Sequence, residues 1–115
     1  MTNETKKRLL DVVAACGAIG EFTAGQSFSD YESNLMLRSA VERQFEIIGE
    51  ALGQAAEADA SLEDAIPELP KIVSLRNRVI HGYDSVDDEI IWDIVRSKLP
   101  DLKLKVDKLL AAENG

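Results

Sequence analysis

The chain has 115 residues, of which 45% are hydrophobic, 30% are charged and 5% are aromatic. A chain of this length suits one domain and is short for two. A chain of this composition is expected to fold and not to be disordered. The formal net charge of −8 excludes strong nonspecific binding to nucleic acid. No apolar run approaches the roughly 18 residues of a membrane-spanning helix.

The charge is spread unevenly along the chain. Residues 1–70 carry 5 basic and 13 acidic side chains, whereas residues 71–115 carry 8 of each. We therefore expect a polyanion, if one binds, to approach the C-terminal part and to avoid the acidic first part.

The first predicted helix covers about residues 4–22, where Leu9, Val13 and Cys16 recur at helical spacing. Gly25 suits a left-handed turn after it, and residues 27–32 are expected to form a short link or a single helical turn. The apolar stretch before Cys16 resembles a lipoprotein signal, but Asp11 interrupts it and it is too short. A single cysteine forms no internal disulfide, which fits the reducing cytoplasm.

The second helix has the clearest pattern, an apolar stripe that repeats at spacings of four and three residues. Ile47 and Ala51 widen this stripe. Two interpretations remain open: the stripe faces both its own bundle and a partner subunit, or it faces only its own core. The stripe consists of Leu37, Val41, Phe45, Ile48, Leu52 and Ala55.

Three shorter helices follow. A capping box is predicted at residues 61–64, and Pro70 suits the first position of a helix that runs to about Ile80 and ends near Gly82. A second capping box at residues 85–88 begins a helix with Ile91, Ile94 and Val95 on its apolar face. Pro100 is expected to separate it from a last helix with Leu102, Val106, Leu109 and Leu110 inside. Residues 111–115 are predicted to fray.

These elements predict an all-α fold, a four- to five-helix up-and-down bundle that forms a single domain over residues 1–115. Proline is absent from residues 1–66, and residues that favour helix are plentiful throughout.

The segment Ser74-Leu75-Arg76-Asn77-Arg78-Val79-Ile80-His81-Gly82-Tyr83 contains the only histidine. Asn77 and His81 lie four residues apart and share a helix face, which the long side chain of Arg76 can also reach. Cleavage of RNA without a metal requires proton transfer and a cation beside the phosphate. Histidine transfers protons near neutral pH, and arginine matches phosphate oxygens. One histidine per chain favours two copies facing each other.

Each residue also has a purely structural interpretation. His81 can cap the helix end, Arg76 and Arg78 can be solvated charges, and Asn77 can be surface polar. Tyr83 can cover the edge of the core with its ring.

Residues 8–110 resemble the HepT-like ribonucleases of the HEPN superfamily. The matching segments, in chain order, are Glu21 to Gly25, Gln44 to Ala51, Leu75 to Tyr83, Ile91 to Val95, and Leu99-Pro100. The family motif is an arginine, usually followed by a polar residue, with a histidine a few positions on. Arg76, Asn77 and His81 match that motif.

The resemblance implies a HEPN-type helical bundle that dimerises so that two motifs line one cleft. It implies a metal-independent ribonuclease toxin without a cofactor, silenced by a minimal nucleotidyltransferase antitoxin that transfers AMP to a tyrosine two residues past the histidine, the place of Tyr83. Arg78 is a candidate RNA contact. Glu50 either holds Arg76 or His81 in place or lies on a solvated face.

Two further functions are open. The chain can be a non-catalytic accessory or substrate-binding subunit of a nucleotidyltransferase, which the net charge of −8 favours mildly. It can also be a plain dimeric scaffold, which would leave Arg76 and His81 without a purpose. The motif favours the endoribonuclease toxin.

Overall fold

A computed structural model gives the structure of residues 1–80 and 87–114, and over these residues the chain is helical without a strand. The helices are α1 (Asn3–Thr23), α2 (Phe28–Ser33), α3 (Leu35–Ala58), α4 (Leu62–Ala65), α5 (Leu69–Ile80), α6 (Asp88–Asp93) and α7 (Leu99–Asn114), with a π-helical turn at Ile94–Lys98. The predicted all-α bundle is confirmed. The predicted fraying of residues 111–115 stays a prediction.

The central helix of the bundle is α3, which packs on α1 along one side and on α5 along another. The last helix, α7, closes the bundle against α1. The core between them is aliphatic apart from a few side chains, because Phe45 and Tyr31 are the only aromatic residues among the fully buried ones in the described part of the chain.

The apolar stripe of α3 faces the chain's own core. Val41, Phe45, Ile48 and Leu52 are each 0% exposed, and the flanking Ile47 is partly buried against the same core cluster. The centre of the stripe is therefore covered by the chain's own core, whereas Leu37 and Ile47 are only partly buried. Whether the stripe also contacts a partner subunit stays a prediction.

The short helix α2 is fixed by both its cap and its core contact. Ser27 and Asp30 form a reciprocal capping box, in which each side chain accepts a hydrogen bond from the other residue's backbone N–H. Tyr31 is fully buried, and its ring lies 5.2 Å from that of Trp92 in α6. The predicted single turn after α1 is therefore a real helix that ties α6 to α3.

The capping box predicted at residues 61–64 is wrong, although the short helix there exists. Ser61 makes no capping bond, and its hydroxyl donates instead to Asp59 Oδ1 at 2.6 Å. An aspartate two residues earlier competes for the hydroxyl that would cap the helix. The box predicted from Ser85 lies partly outside the described residues, and α6 begins at Asp88 with Asp87 as its N-cap.

Pro100 does not separate two helices, contrary to the sequence-based expectation. The chain stays helical from Asp88 to Asn114, and the N–H of Leu99 donates to the carbonyl of Ile94, five residues earlier. A proline inside a helix lacks an N–H and clashes with the carbonyl four residues before it. The widened π turn directly before Pro100 accommodates that ring without ending the helix.

Candidate active site

The candidate site is at the C-terminal half of α5, which carries Arg76, Asn77 and Arg78. The amphipathic pattern of α5 buries Ile72 and Leu75 and leaves Asn77 and Arg78 exposed, with Arg76 at the boundary between them. His81, Gly82 and Tyr83 lie outside the described residues, so the helix end predicted near Gly82 and the positions of His81 and Tyr83 stay predictions.

Arg76 and Asn77 contact each other. The guanidinium Nη1 of Arg76 donates a hydrogen bond to Asn77 Oδ1 at 3.0 Å. Within the described residues, no carboxylate lies within ion-pair distance of Arg76, and its buried Nε has no hydrogen-bond partner. An arginine whose charge is not taken up by an acid retains donors for an anionic ligand such as a phosphate.

The stem of Arg76 is placed by a glycine of the neighbouring helix. A Cβ on Gly49 of α3 would come closer than 3.0 Å to both Cβ and Cγ of Arg76. One turn further along α3, a Cβ on Gly53 would meet Val73 only at 3.8 Å. The helices are therefore antiparallel, and they approach more closely at Gly49 than at Gly53. Only a residue without a side chain leaves room for Arg76 at position 49.

The role of Gly49 was not predicted from the sequence. A signal was present, because a glycine inside a strongly patterned helix costs about 1 kcal/mol relative to alanine and often marks a close contact. The pattern of α3 alone does not predict which residue of another helix packs against Gly49.

Glu50, proposed from sequence as a possible support for Arg76 or His81, points elsewhere. It is exposed, and its Oε1 accepts a hydrogen bond from Gln54 Nε2 at 3.4 Å. Among the described residues it makes no bond to Arg76. Its relation to His81 stays a prediction.

Two grooves flank α5, and their charges are opposite. A groove of about 500 Å³ on the side of α3 has Glu57 and Glu63 on its rim, and we call it the acidic groove. A groove of about 390 Å³ on the side of α6 has Lys71 and Arg78 on its rim, and we call it the basic groove. Asn77 lines the acidic groove, and Ser74 lines both.

A carboxylate pair lies at the junction of α3 and α6. Burial raises the pKa of Glu42, and the nearby charge of Asp88 raises it further. The same two groups lie near Tyr31, whose buried hydroxyl has no partner in the described part of the chain. We assign this cluster to the packing of α2 and α6 on α3.

An all-α bundle with an arginine and an amide on the exposed final turns of one helix is the architecture expected of HEPN-type ribonucleases. The family description "Ribonuclease HepT-like" matches residues 13–109, which include the whole candidate site. The chain belongs to this family, and it is a ribonuclease.

Relatives match over nearly their full lengths. "Probable ribonuclease HepT" of Thermococcus cleftensis is 34% identical over 111 residues, which are 95% of this chain and 98% of that protein. "Putative RNase MJ1380" of Methanocaldococcus jannaschii is 32% identical over 106 residues, 90% of this chain and 94% of that protein. No solved structure matches the chain. No described helix has both the length and the apolar character needed to cross a bilayer.

Proposed function

We propose that this ribonuclease is a metal-independent endoribonuclease whose catalytic residues are Arg76, Asn77 and His81, held in one domain over residues 1–115. The observation that carries the proposal is the pair at the end of α5: Arg76 bonds to Asn77 at 3.0 Å and pairs with no described carboxylate. A guanidinium that pairs with no described carboxylate suits a phosphate that gains negative charge during cleavage.

In this mechanism, the ribose 2′-oxygen attacks the adjacent phosphorus as its proton passes to a base. The bond from phosphorus to the 5′-oxygen breaks, that oxygen takes a proton from an acid, and a 2′,3′-cyclic phosphate remains. His81 supplies the proton transfer, Arg76 stabilises the charge on the phosphate, and Asn77 holds the guanidinium. Two histidines are available only when two copies meet, so we propose a homodimer with both motifs in one cleft.

We further propose that the protein is the toxin of a two-component toxin–antitoxin system in the cytoplasm, and that its partner is a minimal nucleotidyltransferase. The support is membership of the HepT-like family together with the motif. Expression of the wild type should arrest growth, while Arg76→Ala at equal protein level should not. Equal growth with both would contradict a toxin that acts through Arg76.

Tyr83 is the proposed control point. Its hydroxyl oxygen attacks the α-phosphorus of ATP, a new bond to phosphorus forms, pyrophosphate leaves, and the phenolic proton passes to a base on the partner. The added phosphate places a negative charge within two residues of His81 and can compete with RNA phosphate for Arg76 and Arg78.

Intact mass with partner and ATP tests this control. The wild type should gain one adenylyl group and lose RNase activity, whereas Tyr83→Phe should gain no mass and stay active. If Tyr83→Phe gains the same mass as the wild type, or the wild type gains none, control lies elsewhere.

A further inference from the structure

Four features outside the motif could carry a function: the acidic groove, the basic groove, a depression beside Lys71 and Lys98, and the carboxylates near Tyr31. The basic groove combines a recess, an apolar floor and two cations that pair with no acid in the described part of the chain. It is lined by Lys71, Ser74, Leu75, Arg78, Ile90 and Ile94.

The two cations of this groove form a row along α5. Lys71 and Arg78 are seven residues apart, so they lie on nearly the same face of the helix and about 10 Å apart along its axis. Both side chains are exposed, and neither forms an ion pair with another described residue. No acid among the described residues therefore neutralises these two charges.

Some other cations of the described chain pair with acids. Arg43 pairs with Glu46 at 3.1 Å, and Lys103 pairs with Asp107 at 3.0 Å. Lys105 pairs with Glu68 at 3.0 Å and with Asp101 at 3.2 Å. Other exposed cations without a described ion pair exist, such as Lys7, so Lys71 and Arg78 are distinguished by lining one recess together.

The row continues beyond the groove. Lys71 also lines the next depression together with Lys98, whose side chain is exposed and makes no ion pair within the described residues. Lys71 therefore lies between the groove that Arg78 lines and the depression that Lys98 lines. Glu68 and Asp101 line that same depression, where both pair with Lys105.

The floor of the basic groove is apolar. Ile90 is 45% exposed although it is a large hydrophobic residue, and Ile94, one turn later, is partly buried beside it. A floor of this kind offers a surface to the face of a nucleobase while cations on the rim contact phosphates. A folded duplex would not reach a recess of about 390 Å³ with its bases.

We propose that the basic groove binds single-stranded RNA on one side of the scissile phosphate, with Lys71 and Arg78 on the phosphates and Ile90 and Ile94 beneath a base. The proposal rests on the ribonuclease function and names the path of its substrate. The acidic groove on the other side of α5 repels the strand, because Glu57 and Glu63 face it. The strand therefore leaves the site towards α6.

The test uses a short single-stranded RNA with 2′-O-methyl groups, which binds but cannot be cut because its 2′-oxygen carries no proton. Its affinity for the protein is measured by fluorescence anisotropy at several salt concentrations. Lys71→Gln and Lys98→Gln should each weaken binding about 3- to 10-fold and reduce the slope of log affinity against log salt by about 0.7.

Three controls distinguish an effect of the groove from a general effect of charge and from a loss of folding. Lys7→Gln removes the same charge from an exposed site on α1, and Glu57→Gln removes a charge from the acidic groove. Neither should weaken binding. Circular dichroism of every variant should match that of the wild type.

The possible outcomes distinguish a failure of the groove proposal from a failure of the ribonuclease assignment. If Lys71→Gln and Lys98→Gln bind as the wild type does while unmodified RNA is still cut, the groove proposal is overturned and the ribonuclease assignment stands. If they change the sedimentation coefficient instead of RNA affinity, the row is a protein contact and the proposal is wrong. If the wild type neither binds nor cuts RNA, both fail together.

Discussion

Gly49 packs directly against the stem of Arg76. A larger residue at position 49 would clash with this stem and displace the guanidinium of the candidate site. Arg76 and Asn77 were predicted as site residues because their types and their distance from the histidine suit phosphate chemistry and match the motif of the HepT-like family. Gly49 could not be predicted, because the contact joins residues 27 positions apart and depends on how two helices pack.

Gly49→Ala tests this contact. The added methyl group should displace Arg76, lower the free energy of unfolding by about 1–3 kcal/mol and reduce the cleavage rate at least about 10-fold. Gly53→Ala is the matched control, since its methyl group meets Val73 only at 3.8 Å. It should leave cleavage intact and stabilise the helix by about 0.5–1 kcal/mol. Full activity of Gly49→Ala would show that the close contact does not position Arg76.

At the scale of the elements, periodicity predicted the long helices well, and local chemistry decided the short segments. Ser61 was predicted to cap α4 but bonds to Asp59, while Ser27 caps α2 in a reciprocal box. Pro100 was predicted to separate two helices, but the π turn before it accommodates the proline ring and the helix continues. The first error arose because Asp59 takes the hydroxyl of Ser61. The second arose because the backbone hydrogen bonds widen to a π turn before the proline. A pattern of apolar residues contains neither kind of information.

The two serines make a matched pair for a stability measurement. Ser27→Ala should lower the free energy of unfolding in urea by about 1 kcal/mol, because it removes the cap of the helix that holds Tyr31 in the core. Ser61→Ala should change it by less than about 0.5 kcal/mol, since only an exposed hydrogen bond is lost. Equal losses in both variants would contradict the assignment of the caps.

At the scale of the whole molecule, the chain is acidic, and three of the cations proposed to contact RNA lie on one helix. The uneven charge of the two parts predicts that RNA approaches the C-terminal part, and this stays a prediction. Lys71, Arg76 and Arg78 all lie on α5. The row of cations and its apolar floor could not be predicted, because Ile90 and Lys71 are brought together only by the packing of the bundle.

The chain's own core covers the centre of the apolar stripe of α3 at Val41, Phe45 and Ile48, so a homodimer interface would use other apolar side chains as well. Exposed large hydrophobic residues remain elsewhere, including Leu35 and Met36 at the start of α3, which are 69% and 79% exposed. Sedimentation at micromolar concentration should give the mass of two chains. A monomer under these conditions would remove the second histidine from the mechanism.

Cleavage of RNA in the presence of a chelator tests the central claim most directly, because it asks whether the residues at the end of α5 do the chemistry. With EDTA present, the wild type should cut single-stranded RNA and leave 2′,3′-cyclic phosphate ends. Arg76→Ala and His81→Ala, with unchanged helical circular dichroism, should lose at least about 100-fold in rate. Activity that disappears in EDTA and returns with Mg²⁺, or a rate in Arg76→Ala equal to that of the wild type, would contradict this account.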